Sequence, residues 1–160
     1  MTCLPAGAIR RAIPRDLDQV AALWSAITEH HGPFDGLFEL RSHADAEIRA
    51  LLVGQLQSPD VETFVWDGAL GLAGFCSVRI DRAPPILAEV VRAEITDLGV
   101  REDERRRGIG RALVAAAGDW LRSRGVKRVE VRVASRNPEG QAFWRALGFG
   151  DLMDVLHRRL

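Results

Sequence analysis

Arg105-Arg106-Arg107-Gly108-Ile109-Gly110 joins a triple cation to two glycines two positions apart. The run before it, 93–100, is apolar and strand-like, and the run after it, 111–125, has helical spacing. A strand that enters a helix through a tight glycine-containing turn aims unpaired backbone N–H groups at one point. That point suits an anion, most often a phosphate. Arg105, Arg106, Arg107 and Arg111 add positive charge around it. The chemistry expected is capture of a phosphate-bearing ligand. A Walker loop would need Gly-Lys-Ser/Thr and a dinucleotide fingerprint would need Gly-x-Gly-x-x-Gly by the first strand; neither is present. On local chemistry alone, a charged surface turn capped by glycines stays open as the alternative.

A second set lies just upstream. Glu94 sits inside the apolar run, and strict strand alternation places Glu94, Thr96, Leu98 and Val100 on one face, provided no bulge intervenes. A carboxylate there can be solvated, paired with a cation, or held in an apolar setting where it accepts a proton. Glu89 and Asp97 are alternatives for the last role. Asn137 precedes Pro138, a pairing that starts a helix, since the amide side chain caps and the imino acid fits the first turn. His30, His31, His43 and His157 converge on no ligand motif, so no metal is expected. Cys3 and Cys76 are too few and too far apart for a disulfide framework. Cys76 falls in a strand pattern and reads as a buried thiol.

These residues need a scaffold. A short strand spans 8–13, and Asp16 caps a helix carrying Leu17, Val20, Trp24 and Ile27. A loop holds His30, His31, Phe34 and Asp35. Ser42 with Asp45 forms a capping pair for a second helix to Gln57, with Ile48, Leu51, Leu52 and Leu56 inward. Strands at 61–66 and 72–80 form a hairpin about Asp67-Gly68, and Pro84-Pro85 breaks the chain before a long strand at 87–100. Helix 108–124 buries Ile109, Leu113, Ala116 and Trp120. A strand at 126–133, the helix at Pro138 and a weaker strand at 152–160 complete the order. The expected fold is α/β: a mixed, mostly antiparallel central sheet with helices on both faces.

Arg-x-x-Gly-x-Gly after a strand, followed by helix, strand, and an Asn ahead of Ala142-Phe143-Trp144 and Gly148-Phe149, resembles the GNAT superfamily of N-acetyltransferases. The resemblance is strong over 89–149 and topological over the first 88 residues. It implies a GNAT-like acyl-CoA N-acyltransferase fold and acetyl-CoA as acyl donor. It also implies direct transfer of the acetyl group to a primary amine of a small molecule or protein within a ternary complex. The resemblance puts the pyrophosphate on the loop amides, with Leu98, Gly99, Val100, Arg105, Arg106, Arg107, Gly108, Ile109, Gly110, Arg111, Asn137 and Phe143 as cofactor contacts. It further implies that the strand bearing Leu98 splays from the one near Val129, freeing the Leu98 N–H to polarise the thioester carbonyl. Glu94 takes the place of the general base. His31, Phe34, Glu94 and Trp144 are the acceptor-side residues. Many relatives place Tyr where Trp144 stands, as acid for the leaving thiolate. This chain contains no tyrosine, so that route is closed. An acyl-CoA-binding protein without turnover is the alternative function; a nucleotide- or nucleic-acid-binding protein is the third.

Composition bounds the rest. The 160 residues suit one domain, taken as 1–160. Lys plus Arg total 22 and Asp plus Glu total 22, which gives no long-range pull toward nucleic acid or an anionic membrane. No apolar run reaches membrane-spanning length and no signal peptide is visible, so a cytoplasmic protein is expected. A homodimer and the identity of the amine acceptor stay open.

Overall fold

The computed structural model describes residues 4–158, so Cys3 and the last two positions of the expected terminal strand lie outside them. A 5-stranded sheet runs β1 Gly7–Arg11, β2 Val61–Gly68, β3 Gly71–Arg82, β4 Val91–Val100 and β5 Val129–Val131, in that spatial order. The first four strands pair antiparallel, and β4 pairs parallel with β5. Helix α1 spans Leu17–His31, α2 Asp45–Gln57, α3 Ile109–Ser123 and α4 Pro138–Ala146. The parallel pair is joined through α3, the long connection that parallel neighbours require.

Both faces of the sheet are covered, as the alternation of β3 demands. Cys76, Val78 and Ile80 point toward Ile109, Leu113, Ala117 and Trp120 of α3 and Trp144 of α4. Phe75 and Leu72 point the other way, toward Leu17, Val20 and Leu23 of α1 and Ile48 and Leu52 of α2. Burial pushes the Cys76 thiol up to about 12, so it stays protonated and inert.

Helix α1 crosses β4 closely because Gly99 has no side chain. A Cβ there would lie 2.8 Å from the Phe75 ring and 2.9 Å from Ile27 Cγ2. Gly99→Ala is therefore expected to cost about 1–3 kcal/mol through overpacking. A melting curve unchanged from wild type would contradict this contact.

Several expected details are corrected. Asp16 lies ahead of α1, but its carboxylate accepts from Arg10 and from the Ile13 N–H instead of capping the helix. Ser42 does not cap α2. His43 takes a left-handed φ of 64°, which turns the chain before the helix starts at Asp45 without a side-chain cap. Leu51 faces outward on α2. The hairpin turns at Ala69-Leu70, between paired Gly68 and Gly71, instead of at Asp67-Gly68. Strand β4 begins at Val91, after the Pro84-Pro85 segment folds back through an Ala83 N–H to Val90 bond of 2.7 Å. The segment expected as a last strand forms none over 151–158, and Leu152, Met153, Val155 and Leu156 are exposed.

Candidate active site

The pairing of β4 with β5 stops early. It covers Ala93↔Val129, Glu94↔Glu130 and Ile95↔Val131, while β4 continues to Val100. Past Ile95 this edge of β4 has no strand partner among the described residues, because β5 itself ends at Val131; the gap lies where the family resemblance expects a splay. Amide direction alternates along a strand. The Arg101 N–H bonds the Ala73 carbonyl on the β3 side. The Leu98 and Val100 amides therefore face the gap.

The gap leads to the glycine loop. Arg106 and Gly108 both adopt left-handed φ, 62° and 86°, so the chain coils on itself immediately before α3. The Arg105 N–H bonds Glu102 and the Ala112 N–H bonds Gly108; among the described residues, the amides of 106–111 have no backbone partner. Successive amides in such a turn, opening a helix, form an anion cradle.

The arginines divide their work. Arg101 pairs with Asp103 at 2.6 Å, and Arg107 with Glu104 at 2.6 Å, so these two brace the turn before the loop. Arg105 donates to the Val100 carbonyl at 3.2 Å and ties the loop to the end of β4. Among the described residues Arg106 meets only an exposed Glu139 at 3.9 Å, and Arg111 is exposed on the first turn of α3. These last two are the cations left for a ligand.

Phe143 stands at the other wall of the gap. A Cβ on Gly110 would lie 3.4 Å from its ring and 3.7 Å from Val100, so helix start, strand end and aromatic ring meet there. Asn137 is buried and caps α4 by accepting from the Gly140 N–H at 2.9 Å. An added Cβ at Gly140 would lie 2.7 Å from the Asn137 amide nitrogen, so a larger residue there would shift the Asn137 side chain.

Glu94 and Leu98 do not share a face. Ser77 pairs with Asp97 and Val78 with Ile95, so Thr96 is an extra residue, a bulge in β4. Beyond it the alternation flips. Leu98 and Val100 pack on the α3 side with Cys76, whereas Glu94 and Asp97 share the α1 side with Arg79 and Ser77. Glu94 is largely covered, and its two oxygens go to Arg79 at 2.9 Å and Arg132 at 3.3 Å. Asp97 accepts from the Trp24 indole N–H at 2.8 Å. Burial raises its pKa above the ordinary carboxylate range; bonds from Thr96 and Trp24 and the Arg79 charge work the other way.

His31 and Phe34 are brought together at the end of α1. Their rings lie 5.6 Å apart edge-on, with Phe38 5.4 Å from His31. His31 Nδ1 lies 2.5 Å from the Ile27 carbonyl. A carbonyl only accepts, so Nδ1 carries the proton. Trp144 is not with this group. It is buried in the α3-side layer, with Phe143 and Phe149 edge-on at 5.1 Å each. Trp144→Phe should keep the fold and leave CoA binding intact, as read by calorimetry; loss of CoA binding in a folded variant would contradict a packing role.

Sequence reasoning missed the partners of Glu94 and the bond from Trp24 to Asp97. Trp24 reads as one more apolar residue of a helical stripe, and no residue type announces a bulge at Thr96. The only available signal was Asp97 itself, a second acid in an apolar strand.

The chain belongs to the acetyltransferase (GNAT) family, which it matches over residues 24–149. It is 36% identical over 89 residues to mycothiol acetyltransferase of Clavibacter michiganensis subsp. michiganensis, covering 55% of this chain and 26% of the relative. It is 35% identical over 94 residues to streptothricin acetyltransferase of Streptomyces lavendulae, covering 58% and 47%. The chain thus spans under half the length of these curated relatives. In fold it is similar to a mutant of the BH1408 protein from Bacillus halodurans, with a TM-score of 0.86 at 23% identity over 96% of this chain and 99% of that one. Aminoglycoside N-acetyltransferase AAC(6')-Iy, solved with CoA, gives 0.81 at 19% identity over 100% and 98%.

Proposed function

We propose that the protein transfers the acetyl group of acetyl-CoA to a primary amine, with donor and acceptor bound together. The observation that carries this is the β4–β5 gap ending at unpartnered loop amides. The residues fit the donor: amides of 106–111 with Arg106 and Arg111 for the pyrophosphate, the Leu98 and Val100 amides for the arm, and Phe143 as a wall. Bound acetyl-CoA supplies an activated acetyl thioester. The protein's part is to hold an N–H donor at Leu98 where negative charge grows, and a carboxylate on the acceptor side to take up a proton. Glu94 and Asp97 are the two carboxylates that β4 presents on that side. The names of the relatives support acetyl transfer, and the aminoglycoside N-acetyltransferase supports nitrogen as the acceptor atom.

The test is incubation of the purified protein with acetyl-CoA and a panel of primary amines, reading thiol release together with the mass of the amine. Acetylated amine is expected. CoA binding without product from any amine would favour the non-catalytic acyl-CoA-binding reading, which the double pairing of Glu94 and the lack of a tyrosine would then explain.

A further inference from the structure

We infer that Asp97, held by Trp24, is the group that receives the acceptor's ammonium and takes its proton, and that the acceptor is a primary amine with an apolar or aromatic body. This rests on the amine-acetylation reading and specifies its acceptor end.

The bulge at Thr96 is the structural cause. If β4 alternated regularly through Thr96, Asp97 would point into the α3-side core beside Cys76. With Thr96 bulged out of the pairing, Asp97 turns to the α1 side, directly across from Ser77. It also precedes Leu98, whose amide faces the gap, so the carboxylate and the N–H that would serve the acyl oxygen are neighbours along the chain.

The surroundings separate the two acids. Glu94 already has a guanidinium on each oxygen, Arg79 on one and Arg132 on the other. An incoming ammonium would have to displace one of them. Asp97 has a neutral donor, the Trp24 indole, on Oδ1 at 2.8 Å. Of the groups facing it, Trp24 comes from α1, Ser77 and Arg79 from β3, and Thr96 and Glu94 from its own strand. Arg132, beyond β5, reaches only Glu94. Arg79 spends its guanidinium on Asp81 and Glu94. A half-buried acid without a cation of its own gains most from an ammonium partner. The step is a simple proton transfer. One N–H bond of the ammonium breaks, its electron pair stays on nitrogen, the proton forms an O–H bond on Asp97, and it then leaves to solvent.

The same helix face sets the acceptor's body. Trp24, Ile27 and His31 recur at helical spacing along α1, and Ile27 packs over Gly99. The face ends in the His31, Phe34 and Phe38 rings, with exposed Leu37 beside them. An apolar or aromatic amine fits a carboxylate at one end of such a row and rings at the other.

The test titrates the full chain with 2-phenylethylamine and with 2-phenylethanol, which keeps the ring and lacks the ammonium. Wild type should prefer the amine by about tenfold or more. Asp97→Asn, whose side-chain oxygen can still accept from Trp24, should lose that preference, and Glu94→Gln should lose less of it. Trp24→Phe removes the donor to Asp97, so the pH below which the amine preference fails should move upward. That readout decides the matter should Asp97→Asn fail to fold. No preference in wild type, a loss in Glu94→Gln equal to or greater than that in Asp97→Asn, or an unmoved pH limit in Trp24→Phe would each overturn the assignment. Acetyl-CoA consumption measured in parallel keeps the two readings apart. Amine preference through Asp97 without turnover would sink the enzyme reading alone. Turnover of amines unaffected by Asp97→Asn would sink this inference alone.

Discussion

Asp16→Ala is expected to destabilise the protein by about 3 kcal/mol, the lower end for breaking a buried ion pair. For a domain of this size that lowers the melting temperature by about 6–12 °C. The Arg10 guanidinium meets both Asp16 oxygens, at 2.6 and 2.9 Å, and Asp16 also accepts from the Ile13 N–H at 2.9 Å. Asp16 is 3% exposed, so nothing from solvent replaces these bonds in a truncated side chain. The estimate stays low because Arg10 keeps Asp67 at 2.8 Å. The pH dependence follows from the same pair. The Arg10 guanidinium bonded to it holds the Asp16 carboxyl below its ordinary 3.8. A depressed native value means the stabilisation is fully present above the unfolded value and is lost as pH falls through the native one. Calorimetric unfolding from pH 7 into the acid range should show the wild-type advantage over Asp16→Ala shrinking only below about pH 4. An advantage that is absent at pH 7 would contradict the account.

Gly108→Val should cut CoA affinity by at least about tenfold, or roughly 1.4 kcal/mol. Gly108 holds φ 86° at the entry to α3, and Leu4 Cδ2 would lie 3.1 Å from an added Cβ. A β-branched residue avoids that conformation, so the loop must rearrange, and the amides of 106–111 lose their common focus. Gly54→Ala is the matched control. Gly54 lies inside α2 with open space around its Cα, so alanine should favour the helix by up to about 1 kcal/mol and leave CoA binding alone. Equal CoA affinity in a folded Gly108→Val protein would remove the loop from the binding site.

Periodicity carried much of the fold into view. Ile109, Leu113 and Trp120 recur on one face of α3 and are buried there, and Asn137-Pro138 starts α4 as its chemistry requires. The glycine loop was legible because left-handed backbone favours glycine, as at Gly108, whereas Arg106 takes the same conformation with no residue type to mark it. Glu94 and Leu98 could be placed on one strand but not on the correct faces. A bulge adds one residue without any residue type that marks it, and it inverts every side chain beyond it. The partners of Glu94 were hidden for a different reason. Arg79 and Arg132 come from β3 and from beyond β5, and only the register brings them to one carboxylate. The segment 151–158 has strand-forming residues, yet such a preference is realised only in pairing, and among the described residues it pairs with neither outer strand, β1 or β5.

The central claim is that this protein moves an acetyl group to nitrogen. It is tested most directly by supplying acetyl-CoA carrying an isotopically labelled acetyl group, together with 2-phenylethylamine, and following the label by mass spectrometry. The account predicts label in an N-acetyl product, formed in step with CoA release and dependent on the amine. Label recovered only as acetate or intact donor, with no acetamide from that or any other primary amine, would contradict it.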